Sequence, residues 1–300
     1  MKRRTFMQRA SLLAFSASAF GSISWNGKNY VADAATTTDI LGPFYRPNSP
    51  LRSNIIPAGS NGDILHLSGS IFQKDGTSPM ANALIEIWQC DENEYYDNTS
   101  EEYKFWGAVR TGQDGTYKFK TIVPVPYEAA PNMWRPAHIH MRVSSADHQD
   151  LISQIYFKGD PHLQDDTSSA APEAKNRILE ITRDQNNEHS VRFDIVMKQS
   201  FPLDPGAYDK ITGLYQLENG KVEFTREDDL LFMKWNGQLR EALAYKGDNT
   251  FEGGIGYIKA KFDLQPEGES KVSISVSDYD NNDPSKVTTY EGVRFLKYSN

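Results

Sequence analysis

A single cysteine, Cys90, in 300 residues removes two classes of explanation at once. No intramolecular disulfide can form, whatever compartment the chain occupies, and a thiolate zinc centre lacks its ligands. Basic residues are in deficit. The 32 Lys and Arg against 40 Asp and Glu give a formal net charge of −8, and no basic patch interrupts that balance. Nucleic acid and anionic membrane surfaces are therefore disfavoured as partners. Long apolar runs are missing too: the one candidate, Ala10 to Phe20, is too short and too serine-rich to span a bilayer. Histidine is sparse, with six in the chain, so any clustering of them carries information.

The N-terminus reads as an address. Lys2-Arg3-Arg4-Thr5-Phe6-Met7-Gln8, the apolar stretch behind it and the small residues Ala32-Asp33-Ala34 have the form of a twin-arginine export signal. Residues 1–34 are expected to be removed, leaving an exported, periplasmic or extracellular chain with no membrane span.

Two of the six histidines fall together in Trp134-Arg135-Pro136-Ala137-His138-Ile139-His140. On a strand, alternate side chains share a face, so His138 and His140 project from one side about 7 Å apart. One metal ion can then meet both. Arg142 continues that face, while Ile139, Met141 and Val143 alternate onto the other and read as core. A His-x-His pair also occurs as two ordinary surface residues; what separates the readings is the company of tyrosines, Tyr95 and Tyr96 upstream and Tyr127 in Val123-Pro124-Val125-Pro126-Tyr127. A phenol, with its ordinary pKa of about 10, ligates well only to a hard, strongly acidic cation such as ferric iron. Two phenolates and a hydroxide balance the charge of Fe(3+), and two neutral imidazoles complete five-coordination. Any one of these tyrosines taken alone is an ordinary core or rim aromatic.

From Thr38 onward, ordered blocks resemble the intradiol ring-cleavage dioxygenases, in particular the catalytic subunit of protocatechuate 3,4-dioxygenase and its single-chain relatives. The blocks are Ile40-Leu41-Gly42-Pro43-Phe44-Tyr45, Leu67-Ser68-Gly69-Ser70-Ile71, Ala83-Leu84-Ile85-Glu86-Ile87-Trp88-Gln89-Cys90-Asp91 and Val109-Arg110-Thr111 with Asp114-Gly115-Thr116-Tyr117. Pro124 to Tyr127, Arg135 to His140 and Gln154-Ile155-Tyr156-Phe157-Lys158-Gly159-Asp160-Pro161 complete the series, which spans residues 38–200. Each block is weak alone; their succession in order is specific. The resemblance implies Tyr96, Tyr127, His138 and His140 as iron ligands, with Tyr95 the alternative to Tyr96. Glu94 stands where the family usually has glycine two places before the first tyrosine. Arg135 matches an arginine that steadies charge beside the metal and the substrate, and Gln154 a glutamine near the site. Implied too is cleavage of a catechol-type ring between its two hydroxylated carbons with O2, giving a muconate-type diacid without an organic cofactor. The short interval between the signal and Gly42 leaves no room for the helical dimerisation region of catechol-specific relatives, which puts the chain nearer the protocatechuate-like branch. A homo-oligomer is compatible with this reading.

The expected fold is all-β. Val191, Phe193, Ile195 and Met197 alternate with Arg192, Asp194, Val196 and Lys198, and Gln113-Asp114-Gly115 marks a tight connection. Residues 35–201 are thus expected to form an antiparallel β-sandwich, with Ala170–Arg177 as its short helix. Pro202-Leu203-Asp204-Pro205-Gly206 reads as a linker. Residues 207–300 read as a small accessory β-meander, with strands over Leu214–Leu217, Lys221–Thr225, Leu230–Trp235, Lys259–Leu264, Val272–Ser277 and Val293–Tyr298 and hairpin turns at Asn219-Gly220 and Asn236-Gly237. The competing functional reading is a non-catalytic, exported β-sandwich binding module.

Overall fold

The computed structural model describes residues 35–300 apart from 184–187, 202, 266–268, 279–282 and 296–300, together with two paired strands, Ile23–Trp25 and Tyr30–Ala32. The twin-arginine motif and the apolar stretch after it lie outside the described residues.

Period-two alternation builds two facing sheets. One runs in the order Ile178–Leu179, Leu151–Phe157, His138–Ser144, Leu84–Trp88, Trp106–Arg110. The other is centred on Ile64–Phe72, which pairs with Thr116–Ile122 on one side and with His189–Arg192 and Ile195–Val196 on the other. Between them lies a core that includes Leu65, Leu67, Ile71, Ile85, Ile87, Ile139, Met141 and Val143, with Val191, Phe193, Ile195 and Met197 closing it. The tight turn at Asp114-Gly115 carries the chain from the first sheet to the second, since Trp106–Arg110 and Thr116–Ile122 belong to different sheets.

The β-sandwich is as expected, but it is not wholly antiparallel. His189–Arg192 and Ile195–Val196 run parallel to Ile64–Phe72, and Ile178–Leu179 runs parallel to Leu151–Phe157. Alternation tells which face a residue occupies and is blind to strand direction. The parallel pair at Ile178–Leu179 needs a crossover, and that crossover holds the helical segment. It is split: an α-turn at Thr167–Ala170 and a 3₁₀ segment at Pro172–Arg177. Pro172 lacks the N–H that would continue one helix through both.

The expected linker is in part a helix, Pro205–Ile211, with the Asp204 carboxylate accepting the Gly206 N–H at 2.8 Å. Asp-Pro is a helix-start signal, with an N-cap acceptor followed by a preset φ. Beyond it the meander continues further than expected and closes on itself. Gly213–Leu217, Gly220–Glu227, Leu230–Trp235, Gln238–Gly247, Thr250–Gly253, Ile258–Asp263, Lys271–Asp278 and Asp283–Arg294 pair in sequence order, and the last pairs back with the first. Gln238–Gly247 is not among the expected strands because Arg240 and Glu241 interrupt its apolar alternation, and Thr250–Gly253 is only 4 residues long. Of the expected Val293–Tyr298 strand, Val293 and Arg294 end the last barrel strand, and residues 296–298 lie outside the described residues. Side chains fill the barrel: Tyr215, Phe224, Phe251 and Phe262 meet edge to face at its centre, and Tyr208 and Ile211 of the helix join their cluster.

In Leu230–Trp235, Leu230, Leu231, Phe232 and Met233 are all buried. A strand that is apolar on both faces must be covered on both. Leu231 and Met233 point into the barrel, whereas Leu230 and Phe232, with Ala242 and Ala244 of the next strand, join Leu41, Tyr45, Trp88, Trp106 and Tyr127 in a third cluster. That cluster covers the outer face of the sheet that carries His138 and His140.

Candidate active site

The strand His138–Ser144 is paired on both sides, and its register sets the neighbours of each histidine. His140 lies opposite Gln154 on one side and Trp88 on the other, and His138 lies opposite Tyr156. Directly opposed residues share a face. His138 and His140 therefore stand in a row with Gln154, Tyr156 and Trp88, on the face away from the sandwich core. All five are buried. The Trp88 indole lies parallel to the His140 ring at 5.0 Å, with Trp106 stacked behind it at 5.2 Å.

Two loops bring the phenols. After Cys90 the chain turns sharply, with Asp91 accepting the N–H groups of Asn93 and Tyr95 and donating its own N–H to the Tyr95 carbonyl. Glu94 occupies left-handed backbone at φ +68°, which accounts for the glycine the resemblance leads one to expect there. The turn sends Tyr95 outward, 60% exposed, and Tyr96 inward, 3% exposed. The Tyr96 hydroxyl lies 3.1 Å from His138 Nε2, and its ring stacks on Phe44 at 4.3 Å. The second phenol is on a hairpin, Tyr127–Ala130 with Met133–Arg135, whose register puts Tyr127 opposite Arg135. The Tyr127 ring meets those of Tyr96 and His138 at 5.7 and 5.6 Å.

Arg135 is held from two sides. It donates to Gln154 Oε1 at 2.9 Å and pairs with Asp166 at 2.6 Å. Asp166 is also the N-cap of the short helix, accepting the Ser169 N–H. Gln154 in turn donates to the Ile40 carbonyl at 2.8 Å and accepts from the Tyr156 hydroxyl at 3.1 Å. Behind them Asp39 accepts from Tyr156 and pairs with buried Arg177. The sequence reading missed Asp166, Tyr156, Asp39 and Arg177. The Asp-Thr-Ser-Ser run at a helix start was the available signal for Asp166; Tyr156, two places after Gln154, follows from strand alternation.

Burial decides the charge states. It holds both phenols above their ordinary range, Tyr96 the more so beside Tyr127, while Arg135 partly offsets the rise at Tyr127. Burial first, and then the positive field of Arg135, keeps His138 well below the usual imidazole range; at His140 burial is joined by His138 and Arg135. Both imidazoles are thus neutral near pH 7. His138 Nδ1 donates to the Pro136 carbonyl at 2.6 Å, which leaves a lone pair on Nε2. That lone pair faces both the Tyr96 hydroxyl and His140 Nε2, the latter at 3.2 Å, whereas His140 Nδ1 has no hydrogen-bond partner. A cation at this point would take a lone pair from each group. Among the described residues no group of three or more His, Cys, Asp or Glu side chains is arranged to hold a metal. Only the phenol oxygens raise the histidine pair to four donors, so the donor set fits a hard trivalent ion.

Comparisons with known proteins bear on the same part of the chain. The profile of a family described as "Dioxygenase" matches residues 40–199, more than half of the chain. Chlorocatechol 1,2-dioxygenase of Rhodococcus opacus is 33% identical over 180 residues, which are 52% of this chain and 68% of the relative. Catechol 1,2-dioxygenase of Acinetobacter baylyi is 35% identical over 161 residues, 46% of this chain and 51% of the relative. The matched part thus spans between about half and two thirds of these relatives. The solved structure of catechol 1,2-dioxygenase from Acinetobacter sp. ADP1, inhibited by bound mercury, is similar in fold. It aligns with a TM-score of 0.51 at 24% identity, over 66% of this chain and 68% of that one.

Proposed function

This chain belongs to the intradiol ring-cleavage dioxygenase family, and on that premise we propose that it opens a catechol-type ring between its two hydroxylated carbons with O2, yielding a muconate-type diacid. The observation that carries the reading is the convergence of the Tyr96 hydroxyl and His140 Nε2 on His138 Nε2, at 3.1 and 3.2 Å, with the Tyr127 ring alongside. In this reading Tyr96, Tyr127, His138 and His140 hold a ferric ion. Such an ion would supply Lewis acidity toward an anionic substrate oxygen.

The rest falls to the chain. Tyr127 sits at the end of a two-stranded hairpin and is the more exposed of the two phenols, 7% against 3%. As a phenolate, it would be the better placed of the two to accept a proton from a substrate hydroxyl. Arg135, opposite it and clamped by Gln154 and Asp166, presents fixed positive charge where the substrate becomes anionic. Phe44, Trp88 and Phe232 exclude water from the surrounding cluster. The filled donor set and relatives named catechol and chlorocatechol 1,2-dioxygenase favour this reading over a non-catalytic binding module. The twin-arginine motif supports export of the folded chain.

The test is the visible spectrum of the iron-loaded protein before and after anaerobic addition of catechol. A phenolate-to-Fe(III) charge-transfer band that moves to longer wavelength with catechol, followed by muconate formation on admitting O2, is expected. A protein that remains colourless through both steps refutes the assignment.

A further inference from the structure

The segment Ile40–Leu41–Gly42 is where the barrel reaches the donor cluster. Glu241, on the barrel strand Gln238–Gly247, is fully buried. Its Oε1 accepts the N–H of Leu41 at 3.0 Å and of Ala242 at 2.9 Å, and its Oε2 accepts the hydroxyl of Tyr257 at 3.1 Å. Leu41 stands 200 positions away in sequence, in the part of the chain that matches the family; Glu241 does not.

The consequences lie one residue to either side of Leu41. Gly42 has φ +77°, and a Cβ built on it would lie 2.9 Å from His140 Cε1, so its backbone rests against the edge of that imidazole. A ligating histidine is ordinarily oriented through a hydrogen bond from its second ring nitrogen. His138 has one, to the Pro136 carbonyl, and His140 Nδ1 has none. The orientation of His140 therefore rests on contact, with Trp88 on its face and Gly42 at its edge. On the other side, the Ile40 carbonyl accepts Gln154 Nε2, and Gln154 Oε1 accepts from Arg135.

We propose that Glu241 is a positioning residue for this site: by holding the Leu41 N–H, the barrel fixes the two peptide units that set the His140 ring and the Gln154–Arg135 pair. The appended domain is then a working part of the centre. Other contacts between barrel and sandwich reach the same stretch of chain: the Thr38 hydroxyl donates to the Gly254 carbonyl at 2.8 Å, and the Leu41 side chain shares an apolar cluster with Leu230 and Phe232, but neither holds the Leu41 N–H. Glu227 and Asp228 pair with Arg142 at 2.7 and 2.9 Å, and Leu230 and Phe232 pack on the aromatic cluster. The proposal rests on the dioxygenase reading.

The test uses the full-length, iron-loaded chain with Glu241→Gln, Glu241→Leu and, as a control that breaks an ion pair elsewhere between the domains, Glu227→Gln. The readouts are the phenolate charge-transfer band, the rate of iron release to a chelator, kcat and KM separately, and the melting temperature. Glu241→Gln keeps an oxygen for the Leu41 N–H and should retain the band and the release rate. Glu241→Leu should move the band and speed iron release by about tenfold, the lower end for loss of an outer-shell partner, with a matching fall in kcat. Glu227→Gln should lower the melting temperature alone. Should Glu241→Leu fail to fold, Glu241→Asp, whose shorter side chain withdraws from Leu41, is read in the same way. Band, release rate and kcat unchanged in Glu241→Leu or Glu241→Asp, beside an active wild type, would overturn this inference alone. A wild type with neither band nor ring cleavage would overturn the dioxygenase reading, and the catalytic meaning of Glu241 with it.

Discussion

Tyr95 and Tyr96 are neighbours in sequence and opposites in space. The Asp91 turn, closed by two hydrogen bonds between Asp91 and Tyr95, rotates one ring into solvent and the other onto His138. No residue-level property distinguishes them; the handedness of one turn does. Tyr96→Phe should abolish the charge-transfer contribution of that phenol and cut kcat/KM by about 100-fold or more, the scale expected when a group that holds or moves charge in the reaction is lost. Tyr95→Phe should leave both unchanged and shift stability by less than about 0.5 kcal/mol, as for other exposed substitutions. Absorption spectra and steady-state rates of the two variants side by side decide it. Equal losses in both would return Tyr95 to contention. Gly69 shows the opposite kind of constraint. A Cβ there would fall 1.8 Å from the Phe193 carbonyl oxygen, so Gly69→Ala should destabilise by about 3 kcal/mol, the upper end for overpacking. Urea unfolding measures it.

At the scale of elements, pairing register does what the individual residues cannot. The hairpin Tyr127–Ala130 with Met133–Arg135 sets a phenol directly opposite a guanidinium, and the central strand sets His140 between Trp88 and Gln154. The alternation of His138, His140 and Arg142 with Ile139, Met141 and Val143 was legible from the sequence, because side-chain direction on a strand is a local property. Their cross-strand partners were not, because register is settled by the strands on either side. The same holds for Leu230–Trp235, readable as a strand but not as one that packs a sandwich outside and a barrel inside. Phe232 meets the Tyr45 ring edge-on at 5.5 Å across that junction. Phe232→Ala should cost about 3 kcal/mol, in the range for large-to-small core changes. Calorimetry should show the melting temperature falling. A variant that melts like the wild type would mean that the junction contributes little.

For the whole molecule, the buried acid at the junction ties stability to pH. Burial pushes the Glu241 carboxyl up to about 8, opposed by the N–H groups of Ala242 and Leu41 and by the Tyr257 hydroxyl, with Asp39 adding to the rise. A carboxyl whose folded pKa lies above its unfolded value binds its proton more tightly when folded. Its contribution is complete below the ordinary carboxyl range near pH 4 and is lost as pH climbs through about 8. The melting temperature should therefore fall between pH 5 and pH 8, and Glu241→Gln, whose amide does not titrate, should fall less steeply. Parallel slopes for the two proteins would show that Glu241 does not titrate in this window.

The sequence by itself determined the chemistry on offer: a histidine pair on one strand face, phenols in place of thiolates, an arginine and a glutamine in ordered blocks, and strands marked by period-two alternation and turn residues. Each of these depends on a few adjacent residues, which is why it could be read along the chain. Tertiary structure alone decided which phenol reaches the histidines, which strands run parallel, that the second domain closes into a barrel, and that its Glu241 holds the loop against His140. These depend on contacts between residues as many as 200 positions apart. Burial and pairing choose among such contacts only once the chain has folded.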